Sequence, residues 1–212
     1  MRRRARTAPL ALCLVGAVFA PLATLPGLGC RGAASGRGDD DLLDARRAAA
    51  LTWVNALAAG DAATVERATT DPFLFRGVGT DRRCEGRVAG SPAFAAWLAC
   101  ARARPELQPL VDVWKVSQRT APDSPERAAF AKLLPRLVGG DEAWSRFVGA
   151  QERSRAQEAL DGIVSEAGRD GAWITIAARW LSTNLVLRVQ VVGPIASPRV
   201  HAVLVDATRI DG

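Results

Sequence analysis

The clearest pattern of hydrophobic positions lies near the C-terminus, at residues 172–206. Three runs rich in Val, Ile, Leu and Trp follow one another there: AWITIAARWL, NLVLRVQVV and PRVHAVLVDA. Short stretches of Ser, Thr, Asn, Gly and Pro separate them, which is typical of turns between strands. Because parallel neighbours need a crossover of about a dozen residues or more, these connections predict a three-stranded antiparallel meander.

Earlier in the chain the hydrophobic positions recur at three- and four-residue steps, which indicates helices. Gly or Pro follows most of these segments, and Asp or a Ser-Pro pair precedes them. The predicted helices span residues 42–59, 62–68, 92–103, 124–138 and 141–167. Because helices that precede a sheet can cover it, the pattern predicts an α+β fold built around the C-terminal strands.

Two further segments have the pattern of short strands. The Asp-Pro pair at 71–72 forces an extended entry into the apolar run FLF at 73–75. The run LVDVWKV at 110–116 alternates between two faces, one of which carries Asp112 and Trp114. Both segments are therefore predicted to be strands.

The order of these elements resembles the nuclear-transport-factor-2-like superfamily, which includes SnoaL-like and ketosteroid-isomerase-like proteins. The segment WVNALAAGDAATVERATTDPFLFRG and the downstream pair NLVLRVQVV and RVHAVLVDA carry the resemblance, which covers residues 42–206. It implies a cone, in which a curved antiparallel sheet packs on N-terminal helices around a pocket. The segment 124–167 would be a helical insertion before the last three strands. Such a fold hosts enzymes and binding modules alike, so it does not choose a function.

Residues 1–29 have the pattern of a secretory signal. MRRRAR is positively charged, residues 8–20 are apolar, and small residues lead to LPGLGC, which ends at Cys30. This ending resembles a bacterial lipoprotein signal, although Gly27 stands where a Leu is usual. The resemblance implies that Cys30 is lipidated and anchors the chain to an envelope membrane facing the periplasm. Without lipidation the chain would be secreted, or residues 8–29 would remain as an anchor.

Beyond the signal, the chain divides into a tether and one domain. Residues 30–38 are rich in Gly and Ser and predict a flexible tether, and residues 39–212 predict a single domain. The formal charge of +6 includes four arginines of the leader, which leaves 6 − 4 = +2 for the rest. We therefore expect no nucleic-acid partner.

The cysteines support export. Cys13 leaves with the signal and lipidation would use Cys30, so Cys84 and Cys100 remain in a compartment where disulfides persist. A bridge between them would close a loop of roughly 15 residues and add about 3 kcal/mol of stability. The alternative is a pair of buried free thiols.

Catalytic residue types are scarce. The chain has no Tyr, and His201 is its one histidine, predicted by alternation to share a face with Val203 and Val205. An isomerase- or dehydratase-type site, as the resemblance would allow, could combine His201 with Asp112 or Asp206. With no second His and no cysteine pair at ligand spacing, we predict no metal and no cofactor.

Aromatic side chains are the most distinctive feature of the predicted interior. They either fill the core or line an apolar ligand pocket. The candidates are Trp53, Phe73, Phe75, Trp97, Trp114 and Trp180. On the other face of the predicted sheet, Arg188 and Gln190 lie beside Arg179. There they are either solvated or form a docking surface that would allow a homodimer.

Together these features predict an exported, lipid-anchored, non-enzymatic domain. We expect it to bind a partner protein or a small apolar ligand at the cell envelope. The alternatives are a small SnoaL-like enzyme with an Asp/His site in an apolar pocket and a purely structural envelope protein.

Overall fold

A computed structural model describes residues 35–78, 82–121, 123–140, 153–180 and 183–209. The predicted signal, including Cys30, lies outside these ranges. The described helices are α1 (Ser35–Ala59), α2 (Ala62–Arg67), α3 (Ser91–Arg102), α4 (Gln108–Arg119), α5 (Pro125–Ala131) and α6 (Arg153–Ala167). The described strands are β1 (Thr69–Gly77), β2 (Gly86–Val88), β3 (Arg136–Gly139), β4 (Ala172–Trp180), β5 (Thr183–Val192) and β6 (Arg199–Arg209).

The three C-terminal strands form the antiparallel meander that the sequence predicts, with β5 between β4 and β6. They belong to a curled six-stranded sheet of order β2-β1-β6-β5-β4-β3. Neighbouring strands are antiparallel except β1 and β6, which are parallel. The α+β fold class, with helical segments inserted before the last three strands, is therefore confirmed.

Helix α1 forms the main core with the inner face of the sheet. Its buried side chains recur at helical spacing, at Ala50, Trp53, Val54 and Leu57. They pack in one cluster with alternate residues of the meander and with α3. This spacing places all four on one side of the helix, so the C-terminal part of α1 is held by hydrophobic burial.

Helix α6 covers the outer face of the same sheet. Its Ala156 and Ile163 are fully buried and pack in a second cluster with Leu74, Val186 and Leu204. The sheet is thus covered on both faces. Among the described residues, no helix is long and apolar enough to cross a membrane.

The predicted strand at 110–116 is wrong, because this run lies within α4. Its apolar positions also satisfy helical spacing: Leu110 and Val113 are buried, and Ser117 continues the same side. Pro109 occupies the first turn, where its missing N–H costs nothing. A seven-residue run fits both periods, and packing on a neighbouring helix decides between them.

Two predicted boundaries also move, and a third lies outside the described residues. The helix predicted at 124–138 is divided into α5 and β3, with Pro135 between them. Helix α1 begins at Ser35, so the end of the predicted tether belongs to it. The last predicted helix is described from Arg153 onwards, and its part at 141–152 lies outside the described residues.

Candidate functional site

The aromatic residues proposed as a pocket fill the main core where the structure describes them. Phe73 and Trp97 meet edge to face at 4.9 Å between ring centroids, and Phe75 lies 5.4 Å from Trp97. Trp53 is 5.9 Å from Phe73, and its Nε1 donates a hydrogen bond of 2.8 Å to Thr69 Oγ1. Their side chains are 0–4% exposed. These rings occupy the interior with one another.

The other two aromatic candidates differ from this group. Trp114 lies on α4, half-buried, and packs against the main core. The side chain of Trp180 lies outside the described part of the structure.

Cys84 and Cys100 form a disulfide, with 5.8 Å between their Cα atoms. The bond ties the loop before β2 to α3. The predicted pairing is thus present, and free thiols are not.

His201 does not share a face with Val203 and Val205, because β6 has a bulge at this position. Gln190 of β5 pairs with Ala202 and Val191 pairs with Val200, which leaves His201 as the extra residue. Such a bulge re-aims a side chain. The imidazole Nδ1 lies 2.8 Å from Thr70 Oγ1. Burial is the main reason that the pKa of His201 is lowered, and the positive charge of Arg87 adds to the effect.

The two candidate carboxylates lie apart from His201, one on another element and one farther along the same strand. Asp112 is on α4, with its carboxylate 3.9 Å from Lys115 Nζ. Asp206 is buried on β6, five residues beyond His201, which is about 16 Å of extended strand. In the described structure, neither carboxylate makes a contact with His201. No group of three His, Cys, Asp or Glu side chains that could hold a metal occurs among the described residues.

The polar residues of the outer face are buried, so the alternative in which they are solvated is wrong. Arg188 is 2% exposed, and Gln190 and Thr175 are 0% exposed. Gln190 Nε2 donates to the carbonyls of Gly168 and Asp170, at 2.9 and 2.7 Å. These carbonyls belong to the turn after α6, so the insertion covers a surface that the meander alone would leave open.

Arg188 is held in a fixed position under this cover. Its Nη1 donates to the carbonyl of Gly140 at 3.3 Å and to Thr175 Oγ1 at 3.4 Å. Its guanidinium lies 5.6 Å from the ring centroid of Trp173, within the range of a cation–π contact. Burial lowers the pKa of Arg188 to about 10, so the side chain remains a cation at neutral pH.

A cavity of about 750 Å³ opens between α6 and the outer face of β4 and β5. We call it the outer cavity. It is lined mainly by Leu160, Asp161, Val164, Arg169, Trp173 and Arg188. Asp161 accepts a hydrogen bond of 2.8 Å from Gln157 Nε2. The indole Nε1 of Trp173 is buried and has no hydrogen-bond partner. The outer cavity therefore combines apolar walls with two arginines, one carboxylate and an unsatisfied donor.

A second cavity, of about 500 Å³, lies on the other side of α6. Its lining includes Arg76, Arg82, Glu85, Arg155 and Glu158.

Near the second cavity, Glu85 takes part in a buried ionic network. Arg104 is 1% exposed and lies 3.7 Å from Glu85 and 3.2 Å from Glu106. Its guanidinium also stands over Phe75, at 5.6 Å. This network fastens the loop before β2 to the segment after α3, so we assign it a structural role.

Sequence reasoning did not select Trp173 or Arg169, and it left Arg188 either solvated or on a docking surface. A signal was present in NLVLRVQVV, where Arg188 and Gln190 stand within a continuous apolar run. Strands covered on both faces have such runs. A polar residue within such a run either lies at an exposed edge of the sheet or is buried with hydrogen-bond partners.

Comparisons with protein-family models, curated proteins and solved structures found no match to this chain. The resemblance to the nuclear-transport-factor-2-like superfamily therefore stays a prediction.

Proposed function

We propose that this protein is an exported, lipid-anchored, non-enzymatic domain that binds a small ligand in the outer cavity. The observation that carries the proposal is the cavity of about 750 Å³ between α6 and the sheet. Cavities of this size, with apolar walls and a few convergent polar groups, are typical of ligand sites. The leader and its Cys30 would hold the domain at an envelope membrane facing the periplasm.

The outer cavity is a better ligand site than the interior of the fold. The described interior aromatics contact one another and are almost fully buried. An apolar ligand among them would have to displace packed rings, at a cost of several kcal/mol. The outer cavity offers space without such displacement.

A small ligand also fits the outer face better than a protein partner or a second copy of the chain. The residues on which a docking surface was expected, Arg188 and Gln190, lie beneath α6 and its following turn. A partner protein could reach them only if this cover moved away. A small molecule can approach Arg188 through the cavity that it lines.

Binding without catalysis is favoured by the groups around the cavity. Its described carboxylate, Asp161, is exposed and hydrogen-bonded to Gln157. His201, the residue on which the alternative SnoaL-like enzyme depends, contacts Thr70 instead. A general base has to lie within hydrogen-bond reach of its substrate, and His201 does not line the outer cavity.

The anchor is tested with the full chain in a bacterial host that has an outer membrane. We expect the processed protein to begin at Cys30, to carry the mass of a lipid and to enter the membrane fraction. Cys30→Ala should lose the lipid mass. A wild-type chain without lipid mass, recovered in the soluble fraction, would overturn the anchor and leave the binding proposal standing.

The cavity is tested with two neighbouring substitutions on α6. Gln157 lines the outer cavity and Glu158 lines the second cavity, and both are exposed. Gln157→Trp should block binding of any ligand found by thermal shift, whereas Glu158→Trp places the same ring on the other side of the helix and should not. Loss of binding in Glu158→Trp alone would place the ligand in the second cavity.

A further inference from the structure

We propose that the outer cavity selects a small organic carboxylate with an apolar or planar body. This inference rests on the proposed function, since it names the chemistry of the ligand for the same cavity. It is carried by the donors that line the cavity and by the way they are held.

The charged groups of the lining favour an anion. Arg169 and Arg188 line the cavity, and Asp161 is the opposing carboxylate. Asp161 is exposed and accepts a hydrogen bond from Gln157, which lowers its influence on a ligand deeper in the cavity. Arg188 is buried, where a charge acts through a lower dielectric and its hydrogen bonds are stronger.

The indole N–H of Trp173 requires an acceptor that the described protein does not supply. It is buried beside the cavity without a partner. An unsatisfied buried donor is costly, so native structures rarely leave one without a reason. The indole nitrogen has almost no exposed surface in the free protein, so the indole has to turn towards the cavity before an oxygen of a bound carboxylate can accept its hydrogen bond. A ligand that offered only donors would leave it unsatisfied.

The cation is also preorganised. Gly140, Thr175 and the ring of Trp173 fix the guanidinium of Arg188 before any ligand arrives. A ligand therefore meets a rigid donor, and little entropy is lost in ordering it. Leu160 and Val164 provide the apolar wall that a hydrocarbon or aromatic body would contact.

The experiment compares three probes that share one body and differ in charge. The full chain is extracted in a neutral detergent and titrated calorimetrically with phenylacetate, phenylacetamide and phenethylamine. We expect phenylacetate to bind about tenfold tighter than phenylacetamide, as one charge-assisted hydrogen bond predicts. Phenethylamine should bind more weakly than either. Inorganic phosphate, an anion without an apolar body, should compete poorly.

Trp173→Phe keeps an aromatic ring over Arg188 and removes the N–H. We expect it to weaken phenylacetate binding several-fold, because the N–H is lost. The smaller ring also packs less well against the second cluster, so the melting temperature should fall modestly. Trp97→Phe is the matched control. Trp97 Nε1 is also buried without a partner, but it belongs to the main core. This control should leave the dissociation constant for phenylacetate unchanged.

The outcomes separate the inference from the proposed function. If phenylacetamide binds as tightly as phenylacetate and Gln157→Trp blocks both, the cavity binds ligands but does not select carboxylates. If phenylacetate binding survives both Gln157→Trp and Trp173→Phe, its site is elsewhere and the inference is wrong. If none of the probes binds, the inference is overturned for this class of body, and the broader thermal-shift search decides the proposed function. Equal competition by phosphate would replace the organic carboxylate with a simple anion.

Discussion

His201 lies at the bulge of β6, where its ring leaves the pattern of the strand and contacts the hydroxyl of Thr70. Burial disfavours the imidazolium form, and Arg87 repels the same charge. A backbone hydrogen bond to Ala167 acts in the opposite direction without reversing the shift. The folded protein therefore holds this proton less tightly than the unfolded chain does.

This shift makes part of the stability depend on pH. The pKa of His201 is lowered from its ordinary value of 6.5, so the unfolded chain binds more protons between the two values. The contribution of His201 to stability is complete above about pH 6.5. It is lost as the pH falls from this value through the lower pKa of the folded protein. Between about pH 7.5 and pH 5, the free energy of unfolding measured in urea should fall less in His201→Gln than in the wild type. Parallel curves for the two proteins would contradict this assignment.

For single residues, the sequence predicts which face of the sheet a side chain occupies. It does not predict which element covers that face. Alternation correctly places Arg188 and Gln190 on the face opposite Leu187 and Val189. It cannot show that a helix from about 30 residues earlier in the chain covers that face. The bulge at His201 is equally invisible, since one extra residue in a strand leaves no mark on its composition.

At the scale of elements, the disulfide joins a loop without regular structure to α3. Cys84 and Cys100 are 16 residues apart, and a closed loop of this length is worth about 3 kcal/mol. The double variant Cys84→Ala/Cys100→Ala should lower the free energy of unfolding by about this amount in denaturant titrations. Thiol alkylation of the unreduced wild type is the control. Rapid alkylation of both cysteines in the wild type would show that the bond is absent.

Helix α6 is held on the sheet by a narrow set of contacts between two cavities. Ile163 is fully buried against residues of β1, β5 and β6. Ile163→Ala should cost about 2–5 kcal/mol, and it should increase hydrogen exchange in α6 more than in α1. Ser165→Ala, at an exposed position of the same helix, is the control. Equal increases in both helices would mean that α6 does not open separately.

Elements whose hydrophobic positions follow one period could be predicted. A segment that fits both the strand period and the helix period could not. The meander and β1 follow from continuous apolar runs bounded by turn residues, and α3 follows from its Ser-Pro start. The run LVDVWKV alternates over seven residues but also repeats at helical spacing, so only its packing distinguishes α4 from a strand. Pro135 lies between α5 and β3, and the strand after it is too short to predict.

At the scale of the whole molecule, the two faces of the sheet differ in how they are packed. The inner face holds the larger hydrophobic cluster with α1, and its described aromatics are packed. The outer face holds buried polar groups and the outer cavity under α6. Stability and ligand binding should therefore respond to different substitutions.

A pair of variants tests this separation. Leu57 of α1 is 1% exposed in the main core, so Leu57→Ala should cost about 2–5 kcal/mol of unfolding free energy. The dissociation constant of the folded fraction for phenylacetate should stay unchanged, because Leu57 lies on the far side of the sheet from the outer cavity. Trp173→Phe should show the reverse, with weaker binding and a smaller loss of unfolding free energy than Leu57→Ala. If Leu57→Ala weakens binding as much as Trp173→Phe does, the sheet transmits changes between its faces and the roles are not separate.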